Sequence, residues 1–83
     1  MTITISQKRY RIKVCRFFAS DQIERYILTG GKRSIEVETN RPFLLNMKRR
    51  KKFKWKLING ELYYGSTFEI LMQELEYQIS QNE

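Results

Sequence analysis

Lys48, Arg49, Arg50, Lys51 and Lys52 stand side by side, and Lys54 and Lys56 follow at alternate positions. Seven of the nine residues 48–56 are basic and none is acidic. The chain of 83 residues holds 16 basic and 9 acidic side chains, so the net charge of +7 resides in this one segment and the rest is balanced. Like charges at this density repel one another. A phosphate backbone compensates them, because each neutralised phosphate releases condensed counterions. The plainer role of lysine, keeping an edge strand from aggregating, covers Lys52, Lys54 and Lys56 well and five consecutive cations less well. Basic runs also serve as localisation tags and as contacts for anionic lipid or acidic proteins.

Other chemistry is thinly supplied. Cys15 is the only cysteine and the chain has no histidine. An internal disulfide and a nitrogen/sulfur zinc site within one chain are therefore excluded, and no imidazole is present to activate the thiol. Glu36 and Glu38 share a strand face, where Arg25 is the expected partner of Glu36, and Glu74 and Glu76 fall on a solvated helix surface. Gly30-Gly31 precedes a strand rather than a helix, so it is no phosphate-cradling loop. These residues predict a protein without catalysis, metal or cofactor. Trp55 shares a face with Phe53 and Leu57 and belongs to the core. Tyr63 is the better base-stacking candidate, with Phe17 as a second.

The elements that must position the cations follow from periodicity. In residues 8–18, Tyr10, Ile12 and Val14 alternate with Arg9, Arg11 and Lys13, the period of a strand with one wet face. Residues 23–29 and 34–39 read as two more strands, joined by a two-residue turn at Gly30-Gly31. That turn sets Tyr26 against Ile35 and Arg25 against Glu36. Between the first two strands a three-residue loop pairs Ile12 with Leu28, Val14 with Tyr26 and Arg16 with Glu24, whereas an even loop mixes the faces. Asn40-Arg41-Pro42 breaks the third strand, and Phe43, Leu44 and Leu45 tuck into an end of the core.

From Phe53 onward, Phe53, Trp55 and Leu57 alternate with Lys52, Lys54 and Lys56. Asn59-Gly60 predicts a type I′ hairpin with Leu57 against Leu62, Trp55 against Tyr64 and Lys56 against Tyr63. Ser66 and Glu69 form a capping box for a helix over residues 67–80. Its stripe is Phe68, Leu71, Met72, Leu75 and Ile79.

The expected fold is α+β: an antiparallel sheet of about five strands, in two hairpin units, with one C-terminal helix packed on one face. A single domain covers residues 1–83, with 1–7 and 81–83 frayed and 46–51 a mobile basic loop. The uncovered face then carries Arg9, Arg11, Lys13, Lys52, Lys54 and Lys56. Strands followed by one helix resemble, in layout alone, small three-stranded DNA-binding modules that lay a sheet in the major groove; none of their sequence signatures is present. Without a signal peptide or a long apolar run, the chain reads as a soluble cytoplasmic protein that does not insert into membranes. Its expected partner is nucleic acid, contacted by residues 48–52, Lys54, Lys56, Arg9, Arg11, Lys13 and Tyr63. An acidic protein, or a homodimer formed through a sheet edge or the helix, is the competing reading.

Overall fold

The computed structural model describes residues 1–5, 7–48, 52–61 and 65–81. It is an α+β fold with two antiparallel sheets and a C-terminal helix. Strands β1 (Thr2–Ile5) and β2 (Lys8–Arg11) form a two-stranded ribbon. Strands β3 (Lys13–Ala19), β4 (Glu24–Gly30), β5 (Arg33–Thr39) and β6 (Trp55–Asn59) form a four-stranded sheet in chain order. A short helix α1 (Arg41–Asn46) links β5 to the basic segment, and α2 (Gly65–Gln81) closes the fold.

Thr2–Ile5, within the segment expected to fray, instead forms β1, which pairs with β2 and buries Ile3 in the core. The expected first strand is divided at Ile12, whose N–H donates to Met1 O (2.8 Å), so one extended segment serves two sheets. Leu28, Ile35 and Val37 of the sheet meet Leu71, Met72 and Leu75 of α2, with Phe68, Ile79, Trp55 and Leu57 at the margin. Each of the buried aliphatic side chains contributes about 1.5–3 kcal/mol. The predicted helical stripe is thus the one that covers the sheet. The helix starts earlier than expected, at Gly65, so Ser66 falls within its range.

Both hairpin registers differ from expectation by two residues. The β4–β5 turn is Gly31-Lys32, with Gly30 paired to Arg33, Leu28 to Ile35, Tyr26 to Val37 and Arg25 to Glu38. Gly30 is needed elsewhere: a Cβ there would stand 2.9 Å from Ile12 Cδ1. Gly31, at φ 62°, supplies the turn's left-handed conformation. Between β3 and β4, Val14 pairs with Leu28 and Arg16 with Tyr26, then a bulge at Phe17 shifts the register so that Ala19 faces Glu24. The loop that follows has an even number of residues, 20–23, and is tied by Ser20 Oγ, which accepts from the N–H groups of Gln22 (3.2 Å) and Ile23 (3.1 Å). The bulge absorbs the one-residue slip that an even loop would otherwise impose on the faces. A shift of two leaves the side chains before the bulge on their expected faces, whereas Phe18 beyond it pairs with Arg25 and turns to the opposite face.

Asn59-Gly60 does not form a type I′ turn. Asn59 stays in the strand and only Gly60 adopts a positive φ, 92°. The expected partners Leu62, Tyr63 and Tyr64 lie outside the described residues.

Candidate nucleic-acid interface

The segment 48–54 leaves and re-enters the fold at one end of the four-stranded sheet. At this end β3 finishes, β4 begins, β5 finishes and β6 begins. Pro42, in the first turn of α1, has the fixed φ a helix start requires. The helix is held against the β3–β4 loop by Phe43 N–H donating to Gln22 O (3.3 Å) and Asn46 Nδ2 donating to Asp21 O (2.9 Å). Lys48, exposed and at φ 52°, leaves α1 with its N–H on Leu45 O (3.1 Å). Lys54 returns with its N–H on Asn40 Oδ1 (2.9 Å). Both described ends of the basic segment are therefore fastened to the fold. Lys48, Lys52 and Lys54 are exposed; Arg49, Arg50 and Lys51 lie outside the described residues, as does Tyr63.

The same end of the sheet displays apolar side chains. Phe17 and Phe18 close β3, and Phe43, Leu45 and Met47 belong to α1 and its C-terminus; all five are exposed. Phe18 stacks beneath the Arg25 guanidinium at 5.3 Å. Aromatic faces beside a cationic loop can accept unpaired bases while the cations meet phosphate.

The remaining predicted cations are more dispersed. Paired residues share a face, so Lys13 on β3 and Lys56 on β6 both occupy the face opposite α2. These strands are the two edges of the described sheet, roughly 14 Å apart at the usual strand spacing. Between them stand Glu36 and Glu38 of β5; Glu38 accepts from Arg25 Nε at 2.9 Å and is the register partner of Lys56. The centre of the open face is thus nearly neutral. Arg9 and Arg11 belong to the β1–β2 ribbon, where they pair with Thr4 and Thr2 and are exposed. The expected Arg25–Glu36 pair is corrected to Arg25–Glu38 by the two-residue register shift.

Sequence reasoning missed a buried polar cluster on the other face. Glu24, 3% exposed, accepts from Arg16 Nη1 through Oε2 and from Arg41 Nη1 through Oε1, each at 3.0 Å. Arg16 and Glu24 thus meet as expected, although their strand register differs. Arg41 is itself buried, its backbone N–H donating to Thr39 Oγ1 (3.2 Å). Only the register Glu24–Thr39 brings Arg41 under β4, and no local pattern announces it. Beside it, burial first and the Glu24 carboxylate second push the Tyr26 phenol up to about 12.

Trp55 belongs to the core margin as expected. Its ring stands 6.0 Å from that of Tyr26, and its Nε1–H donates to Glu76 of α2. Cys15 is exposed on β3, and among the described residues no three acidic or cysteine side chains are grouped to hold a metal ion. No described helix is long and apolar enough to cross a membrane. No protein-family model, curated protein or solved structure matches the chain.

Proposed function

We propose that the protein is a small non-catalytic nucleic-acid-binding module whose basic loop, residues 48–54, is the principal contact. The observation that carries this reading is the fastening of the loop at both ends beside exposed Phe17, Phe43 and Met47. A held loop loses less conformational freedom on binding than a free arm does. Lys56, Arg9, Arg11 and Lys13 add peripheral phosphate contacts, and with Lys54 they position the backbone rather than read bases. The nearly neutral middle of the sheet, with Glu36 and Glu38, offers a polyanion less than the loop end does. The apolar side chains there favour single strands over duplex.

The test is titration of labelled single-stranded and duplex oligonucleotides at several salt concentrations. With the seven cations of residues 48–56 engaged, log K falls against log salt with a slope of magnitude about 5–6. Replacing Lys48, Arg49, Arg50, Lys51 and Lys52 by Gln lowers that magnitude by about 4. A flat salt response, or an unchanged slope in the variant, refutes the reading.

One observation favours a second reading, a protein-interaction module or homodimer. Strand β3 pairs on one side only among the described residues, with Phe17 and Phe18 exposed along it. Such an edge is a template for a further strand. Size-exclusion chromatography at moderate salt separates a dimer from a monomer, and the absorbance ratio shows co-purifying nucleic acid.

A further inference from the structure

The sheet's edge strand reaches beyond the helix that covers the rest. Val14 and Arg16 of β3 are register partners of Leu28 and Tyr26 and so lie on the helix-covered face, yet Val14 is only half-buried and the Arg16 side chain is 56% exposed. The space left between β3 and the C-terminal half of α2 is an open cleft of about 620 Å³. Ile12, Val14, Leu75 and Ile79 give it apolar walls, and Arg16 and Tyr26 give it a polar end. Its volume falls in the range of small-molecule sites, roughly 300–1,000 Å³.

Two features of that polar end point to an acceptor from outside. Tyr26 is 3% exposed, and its hydroxyl lies beside the Glu24 carboxylate and the Arg16 guanidinium without a well-formed hydrogen bond to either. Buried polar groups are nearly always satisfied, and an unmade hydrogen bond here is a standing cost. Arg16 spends one N–H on Glu24 and keeps the rest of its five donors at the rim. Among the described residues the Glu24 carboxylate is shared between two guanidinium groups, so Arg16 is only partly neutralised by it. Donors with capacity to spare, beside an aliphatic wall, are the complement of an amphipathic anion.

We propose that this cleft binds a small organic carboxylate, its oxygens accepting from the Tyr26 hydroxyl and the Arg16 guanidinium and its apolar body lying on Ile12, Val14, Leu75 and Ile79. The phenol is held neutral at pH 7, which keeps it a donor. Binding here uses none of the cations of residues 48–56, the principal polyanion contact, although Lys13 borders the cleft.

The experiment follows backbone amide shifts of the full chain during titration with hexanoate, with hexanol and inorganic phosphate as probes that lack the charge or the apolar body. Hexanoate produces saturable shifts at Val14, Arg16, Tyr26, Leu75 and Ile79, and the other two bind at least about tenfold more weakly. Tyr26→Phe keeps the ring and removes only the hydroxyl; Arg16→Gln alters an exposed side chain. Each weakens hexanoate by about tenfold, the worth of one hydrogen bond to a charged acceptor. Absence of saturable shifts up to about 10 mM hexanoate, a range in which even weak specific binding registers, overturns the proposal. So does hexanol or phosphate binding as tightly as hexanoate, or unchanged affinity in Arg16→Gln. If Tyr26→Phe fails to fold, Arg16→Gln alone decides.

Discussion

Glu24→Gln separates two ion pairs that share one carboxylate. In the folded protein Glu24 meets Arg41 and Arg16 at the same distance, 3.0 Å, but the Arg41 side chain is 5% exposed and the Arg16 side chain 56%. Distance alone would make the two contacts equal; desolvation makes them unequal. Neutralising Glu24 takes the carboxylate away from a guanidinium held in the interior, a loss of about 3–5 kcal/mol. The substituted amide still offers one carbonyl oxygen, which places the expected value near the lower end, about 3 kcal/mol. A domain of this size has roughly 4–12 kcal/mol of total stability, so the variant is close to unfolding. Thermal midpoints fall by roughly 12–24 °C, from about 4–8 °C per kcal/mol. Urea unfolding followed by Trp55 fluorescence and far-ultraviolet dichroism measures the free energy, and a thermal melt the midpoint. Arg16→Gln, which removes the solvated pair, leaves the midpoint within experimental error. Glu38→Gln, which releases the part-exposed Arg25, costs about 0.5 kcal/mol or less. If Glu24→Gln and Glu38→Gln lose the same amount, burial does not govern these pairs and the reasoning fails.

Two further outcomes follow from backbone and titration. Gly60→Ala forces a Cβ to 2.8 Å from Ser34 O and 2.9 Å from Ile35 Cγ2 at φ 92°, and destabilises by about 2 kcal/mol or more. Gly31→Ala meets open space at φ 62° and loses only about 1 kcal/mol; equal losses in urea melts would refute the close approach. Tyr26 ionises late, at about 12. Its folded value lies above the ordinary 10, so the folded state holds this proton more firmly than the unfolded chain does. The stability this contributes is present below pH about 10 and is lost as pH rises toward 12. Tyrosinate absorbance against pH reads this directly: the late step is missing in Tyr26→Phe, and its persistence there would assign it to another tyrosine.

Period and charge were legible in the residues themselves. The alternation in 23–29 and 34–39 placed Tyr26, Leu28, Ile35 and Val37 on one face, and the stripe Leu71, Met72 and Leu75 named the helix surface that covers them. Side-chain direction depends only on period, so it survived registers that were off by two. Turn chemistry was less informative, because a glycine serves equally as a turn residue or as room for a neighbour. Gly31 does the first, whereas Gly30 does the second beside Ile12. Pairing of residues 2–5 with 8–11 was missed because so short a ribbon gains its stability from placing Ile3 against the helix, a contact no local window contains.

The cationic loop follows a similar division. Composition alone located the net charge of +7 in residues 48–56. Its anchoring at one end of the sheet, and the placing of Lys13 and Lys56 on opposite edges with Glu36 and Glu38 between, needed strand order. The buried Glu24–Arg41 pair and the cleft beside Tyr26 were tertiary outcomes as well. Local sequence sets which way each side chain points, because backbone geometry repeats every two residues or every 3.6. Which distant groups then share a low-dielectric interior is settled by how the sheet and helix stack, and there the same guanidinium–carboxylate distance carries a very different free energy.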